Sequence, residues 1–150
     1  MRTEDWYDWS GYKAPMSIWD EEREYFAIRS QAAVFDISPM VKYRIEGPDA
    51  EALLDRVTLR DVTNLNPGRV HYTAWCDDAG HVLDDGTLFR LTATRFRLCC
   101  QERHLPWLLD SAIGYDVVIA EETEEIAGLA LQGPTSFAVL RAAGLPASRG

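Results

Sequence analysis

Asp84 and Asp85 stand side by side in the stretch Asp78-Ala79-Gly80-His81-Val82-Leu83-Asp84-Asp85. A carboxylate in such a place can orient a polar ligand and manage a proton during group transfer. On a strand, neighbouring side chains face opposite ways. Asp85 would then share one face with Thr87 and Phe89, at period two, while Asp84 looks the other way. Other acidic pairs occur at Asp77-Asp78, Glu21-Glu22, Glu121-Glu122 and Glu124-Glu125. By composition alone, the Asp84-Asp85 pair is therefore one more exposed charged turn, because charged residues are mostly exposed.

The remaining reactive side chains do not assemble into a second centre. Cys76, Cys99 and Cys100 are odd in number and two are adjacent, which does not make a disulfide framework. Free thiols in a reducing cytoplasm are expected. No Cys-x-x-Cys is present, and His71, His81 and His104 are scattered, so no zinc site is expected. No Cys/His constellation suggests a nucleophilic thiol. Neither a Gly-x-Gly-x-x-Gly fingerprint nor a phosphate loop appears, which gives no support to the nucleotide enzymes they mark.

Charge and hydropathy narrow the partners. The 150 residues carry 15 basic and 24 acidic side chains, a formal net charge of -9. An acidic surface repels phosphate backbones and anionic lipid, so neither nucleic acid nor membrane is expected as a partner. No run of 18 apolar residues is long enough to span a bilayer, and the start Met1-Arg2-Thr3-Glu4-Asp5-Trp6 lacks the apolar core of a secretory signal. The ending Leu145-Pro146-Ala147-Ser148-Arg149-Gly150 reads as a loop, with more protein expected beyond it.

The elements that must position these residues can be read from periodicity. Residues 1–19 read as an irregular aromatic arm, whose Trp6, Trp9 and Trp19 are expected to pack against the body. Asp20–Ala33 reads as a helix capped by Asp20, with Tyr25, Ile28 and Ala32 on one face. Val41–Glu46 alternates as a strand. Asp49 can cap a helix whose Ala50, Leu53, Leu54 and Val57 form a stripe. Val70–Cys76, a turn at Asp77–Gly80, and a return at His81–Leu83 and Thr87–Leu91 form a hairpin. Arg95–Cys100 is a third strand; Leu105–Ala112 a helix; Val117–Ala120 and Ile126–Leu131 two strands; and Thr135 can cap a helix running to Ala143. Strands joined by short turns favour antiparallel pairing, so the expected class is α+β, mainly antiparallel.

Several of these segments together resemble the glycine-cleavage T-protein superfamily. Phe35-Asp36-Ile37-Ser38-Pro39-Met40 is similar to its Phe-Asp-x-Ser-His-Met signature. Gly47-Pro48-Asp49-Ala50 follows a strand, as in the family, and Asp61-Val62 with Leu65–Gly68 precede the strand holding Tyr72. Asp78–Asp85 is similar to the Gly-Gly-x-x-Asp-Asp hairpin, and Ala130-Leu131-Gln132-Gly133-Pro134 to the Gln-Gly-Pro strand end. Ser10-Gly11-Tyr12 with Pro15-Met16 resembles the early Ala-Gly-Trp-x-Met-Pro segment. The matches keep family order along nearly the whole chain.

The resemblance implies a tetrahydrofolate-dependent one-carbon transferase, aminomethyltransferase-like, of which residues 1–150 are an N-terminal portion. It implies Asp85 as the catalytic carboxylate beside the folate nitrogens, with Met40 and Tyr72 at pterin-pocket positions and Thr87 and Phe89 on the Asp85 face. Without the resemblance, Met40, Tyr72 and Phe89 read as core. The implied partners are folate and a small one-carbon donor, with a lipoyl carrier protein as one such donor. A folate-dependent demethylase and a non-catalytic folate-binding regulatory module are the alternatives. Two positions depart from the family pattern: Pro39 stands where His is usual, and Gly86 where an aliphatic residue is common. The Glu and Arg that the family's later part supplies to the pterin have no counterpart located in this chain.

Overall fold

The structure, a computed structural model, describes residue 3 and residues 5–145. The elements in chain order are β1 (Trp6–Trp9), β2 (Tyr12–Pro15), α1 (Glu21–Ser30), β3 (Ala33–Asp36), β4 (Val41–Glu46), α2 (Ala50–Val57), β5 (Val70–Cys76), β6 (Val82–Arg90), β7 (Arg95–Cys100), α3 (Leu105–Ser111), β8 (Val118–Glu121), a 3₁₀ turn (Thr123–Glu125), β9 (Leu129–Gln132) and α4 (Ser136–Ala142). Every strand pair is antiparallel, and the class is α+β as expected. The chain divides into two compact units, residues 1–39 with 127–150, and residues 40–126.

The first unit corrects the sequence reading in three places. The expected arm is a hairpin: β1 pairs with β2 from Trp9↔Tyr12 outward, around Ser10 (φ 53) and Gly11 (φ 88). Two consecutive positive φ values make the tight turn that suits the twist of paired strands. The expected helix to Ala33 stops at Ser30, and Ala33–Asp36 instead pairs with β9. Gly133 sets that stop. At φ +120 it packs so closely on the helix end that a Cβ would lie 2.5 Å from the Gln31 carbonyl oxygen, and Thr135 N donates to that same oxygen. The last predicted strand begins at Leu129 rather than Ile126: the 3₁₀ turn ends at Glu125, and Gly128 instead accepts from Ile37 N and donates to Ser38 Oγ just past the end of β3. Asp20 caps α1 as expected, accepting from Arg23 N at 2.9 Å. Tyr25, on the predicted apolar face, is 58% exposed, and α1 buries no residue fully. The predicted loop-like ending at Pro146–Gly150 lies outside the described residues.

The second unit is built on a five-stranded sheet in the order β5-β6-β7-β4-β8. One face carries Val41, Tyr43 and Ile45 of β4, Leu88 of β6, Phe96, Leu98 and Cys100 of β7, and Trp75 of β5. Ala50, Leu53 and Leu54 of α2 and Leu108 of α3 complete this buried core with Val62 and Leu65. The helical stripe read from the sequence is thus the face α2 buries. Asp49 does not cap α2 through its side chain; its Oδ2 accepts from Asp116 N at 2.8 Å and ties the start of α2 to the chain entering β8. Thr135 likewise makes no side-chain cap to α4. The return strand of the hairpin is continuous across Asp84–Gly86.

Candidate active site on the outer sheet face

The strand register arranges the opposite face of this sheet in rows. Lys42, Cys99, Thr87 and Tyr72 pair in sequence across β4, β7, β6 and β5. The next row is Arg44, Arg97, Phe89 and Val70. Asp85 lies one row beyond Thr87 on the same face, opposite Ala74 of β5. A two-residue step along β6 and one strand spacing across to β5 bring diagonal neighbours within reach of long side chains. The Tyr72 hydroxyl accordingly donates a hydrogen bond to Asp85 Oδ2. Tyr72 is 62% exposed and Asp85 is exposed, so this hydroxyl–carboxylate pair looks outward. Thr87 and Phe89 follow it along β6, both partly buried.

The structure therefore brings Asp85, Tyr72, Thr87 and Phe89 onto one face. Met40 stands apart from them. It immediately precedes β4, and its carbonyl accepts from Lys42 Nζ at 2.8 Å. Since Val41 and Gly86 both pair with Cys100, Met40 and Asp85 occupy the same end of the sheet, two strand spacings or roughly 10 Å apart.

Asp84 differs from its neighbour in every respect. Its side chain turns to the core side and is 8% exposed. Its Oδ1 accepts from Asp85 N at 2.8 Å and its Oδ2 from Glu102 N at 2.9 Å, with His104 Nε2 at 3.2 Å. A charge taken out of water needs partners of this kind.

Toward β8 the outer face becomes cationic. Arg44 and Arg97 both reach the buried carboxylate of Glu122 at 2.9 Å, Arg95 approaches it at 3.8 Å, and Arg44 also pairs with Glu46. Cys99, in the Thr87 row, has its thiol pushed up by burial against the opposing pull of Lys42 and Arg97. Sequence reasoning did not single out this Glu122 network or the Asp84–His104 contact. Both join residues 20 or more positions apart, and only the register reveals them. Cys76, Cys99 and Cys100 are free thiols. Among the described residues, no group of three or more His, Cys, Asp or Glu side chains is placed to hold a metal ion, and no helix is long and apolar enough to cross a membrane.

The first unit holds an open groove of about 1510 Å³, walled by aromatic and aliphatic side chains that include Trp9, Trp19, Phe26 and Phe35. Trp19 carries the Arg23 guanidinium 5.0 Å above its ring, and Trp6 is 54% exposed. Trp9 and Trp19 thus line a groove where arm packing was expected. None of the predicted site residues lies in it.

The chain is similar to known proteins in sequence and in fold. An aminomethyltransferase of Bacillus subtilis (strain 168) is 33% identical over 138 residues, which are 89% of this chain and 38% of the relative. A probable aminomethyltransferase of Haloarcula marismortui is 35% identical over 144 residues, covering 90% of this chain and 40% of the relative. The crystal structure of glycine cleavage system aminomethyltransferase T from Bartonella henselae superposes with a TM-score of 0.80 at 30% identity, over 95% of this chain and 40% of that one. The chain thus spans about two fifths of the length of the relatives it matches. A family model described as the GCVT N-terminal domain matches residues 3–146, and the chain belongs to that family.

Proposed function

We propose that this chain contributes the folate-facing surface of a tetrahydrofolate-dependent one-carbon transferase of the aminomethyltransferase kind, with Asp85 as its catalytic carboxylate. The observation that carries this reading is the outward-facing Tyr72–Asp85 hydrogen bond at the Asp-Asp hairpin that resembles the family motif. The residues suit a pterin. A flat heterocycle with a polar edge needs hydrogen-bonding groups at that edge and an apolar wall beside its face. The Tyr72–Asp85 pair offers the first, and Phe89 with the methyl of Thr87 the second.

In this reading Asp85 accepts a hydrogen bond from the pterin edge and holds the proton that leaves the reacting nitrogen. Tyr72 fixes the carboxylate in the orientation that does so. Thr87 and Phe89 form the wall along β6, and Met40 bounds the same end of the sheet from the start of β4. Tetrahydrofolate supplies the nucleophilic nitrogen that accepts the one-carbon unit. The donor is an aminomethyl group carried on a lipoyl protein, and the setting is the cytoplasm, which suits three free thiols.

The test is one-carbon transfer to tetrahydrofolate by the natural protein that carries this chain. Wild type is compared with Asp85→Asn, using aminomethyl-lipoyl carrier as donor and methylated amines as competitors. Loss of transfer in Asp85→Asn with the lipoyl donor supports the proposal. Transfer from methylated amines alone points to a demethylase, and equal rates in both proteins point to a non-catalytic folate-binding module.

A further inference from the structure

We propose that His104 is a positioning residue for Asp85, acting through Asp84. This rests on the reading of Asp85 as the catalytic carboxylate.

The backbone around Asp85 lies where the sheet holds it least. Pairing of β6 with β7 ends at Gly86↔Cys100, one residue short of Asp85. On the other side, the β5–β6 ladder shifts register between Trp75 and Cys76, next to the Trp75↔Asp84 pair. The Asp85 N–H is donated to the Asp84 carboxylate at 2.8 Å. The orientation of the Asp85 side chain therefore depends on where the Asp84 carboxylate sits.

That carboxylate is held from the core side. Its second oxygen accepts from Glu102 N and faces His104 Nε2 at 3.2 Å. Ionised carboxylate oxygens only accept, so the His104 Nε2 must carry the hydrogen and donate. His104 is itself fixed from two directions. Its ring stands edge-on to the buried Trp75, with centroids 5.7 Å apart and planes at 90°. Its backbone N donates at 2.8 Å to the hydroxyl of Tyr43, which is wholly buried in β4. The chain of contacts runs from Tyr43 and Trp75 through His104 and Asp84 to the Asp85 peptide, with every link at hydrogen-bond or ring-contact distance. Site residues on rigid elements with locked supporting partners keep their geometry, and a misplacement of about 1 Å costs about 10²-fold in rate.

Three variants test this in the whole chain. His104→Phe keeps a ring against Trp75 and removes the donor. His104→Gln keeps a donor. Asp85→Asn reports on the underlying site. In the wild type, the Asp85 amide should exchange with solvent far more slowly than the exposed Asp78 amide of the hairpin tip. Rapid exchange at Asp85 overturns the proposal without any variant. His104→Phe should shift the Asp85 carboxyl carbon resonance and the Tyr72 ring resonances, and His104→Gln should return them. In the natural protein, His104→Phe should lower kcat about 10- to 100-fold with KM for tetrahydrofolate nearly unchanged, and His104→Gln should recover most of it. Unmoved Asp85 and Tyr72 resonances in His104→Phe overturn the proposal, as does equal kcat loss in the two His104 variants. Asp85→Asn with full turnover would instead remove the catalytic reading of Asp85, and the resonance and exchange measurements would still decide the coupling.

Discussion

Asp84 and Asp85 share a side chain and differ by one position, and the pleat of β6 gives them opposite surroundings. Asp85 is exposed beside Tyr72, while Asp84 is enclosed by two backbone N–H groups and an imidazole. Asp85→Asn keeps the shape and removes the charge, and one-carbon transfer should fall by about 10²–10⁴, the range for loss of a general acid–base group. Tyr72→Phe removes one bond to a charged acceptor and should cost about 1.5–3 kcal/mol, or roughly tenfold or more in kcat/KM. Asp84→Asn turns one of two acceptors into a donor facing an N–H group. It should lose about 1–3 kcal/mol of stability and lower the melting temperature, with less loss of turnover than Asp85→Asn. Steady-state transfer and thermal unfolding of the three variants check these expectations together. Asp85, Thr87 and Phe89 were legible as one face because period two needs no tertiary knowledge. The Tyr72 contact and the His104 support were not, because a sequence does not state which residues of two strands lie opposite one another.

β6 is the element on which the site hangs, and at Gly86 it leaves no room for a side chain against β7. A Cβ at Gly86 would lie 2.1 Å from the Cys99 carbonyl oxygen and 3.3 Å from Cys100 Cα. Both are backbone atoms in a paired strand, so the strands would have to part to admit it. Gly86→Ala should destabilise the fold by about 1–3 kcal/mol, the usual cost of forcing extra volume into a packed place, read as a lower urea midpoint. Glycine is the one residue that this approach admits. The same elements show why some of the fold could be read and some could not. α2 carried a clear 3.6-residue stripe and β7 alternated between core and outer face, so local pattern and final burial agreed there. In β5 the apolar Val70 and Tyr72 face outward while Thr73 is buried, and in β4 Lys42 is buried on the outer face. β3 is four residues long and mostly exposed, and its partner β9 lies almost a hundred positions away. Its pairing left no local trace, and the preceding helix pattern runs on into its first residue, Ala33. The β1–β2 hairpin turns on Ser10-Gly11 between short aromatic strands without clean alternation, and it read as irregular for that reason.

For the whole molecule, two buried groups make stability fall at high pH. Burial pushes the Tyr43 hydroxyl from its ordinary 10.0 to about 12, and the Cys100 thiol from 9.0 to about 12, where the charge of Asp84 adds to the effect. Both pKa values are raised on folding, so the unfolded chain ionises first. Their contribution is complete below about pH 9 and is lost as pH rises toward 12. Fluorescence-monitored urea unfolding across that window should show falling stability, and Cys100→Ala should flatten the slope where the thiol titrates. Ligand binding is decided at this scale as well. The proposed folate surface is one face of one sheet, with Tyr72 62% exposed. Pockets for ligands of this size bury about 70–90% of the ligand surface, which takes walls on several sides. A pterin laid against Phe89 and hydrogen-bonded to Asp85 gains contact on one face and one edge. Its other face stays in water, and most of its surface burial is forgone. The 150-residue chain should accordingly bind tetrahydrofolate more weakly than about 10 μM, short of about −7 kcal/mol. Titration calorimetry with the chain alone measures this directly. Low-micromolar affinity would mean that the missing walls are supplied within these 150 residues, and Asp85→Asn in the same titration would then show whether the bound ligand uses this face.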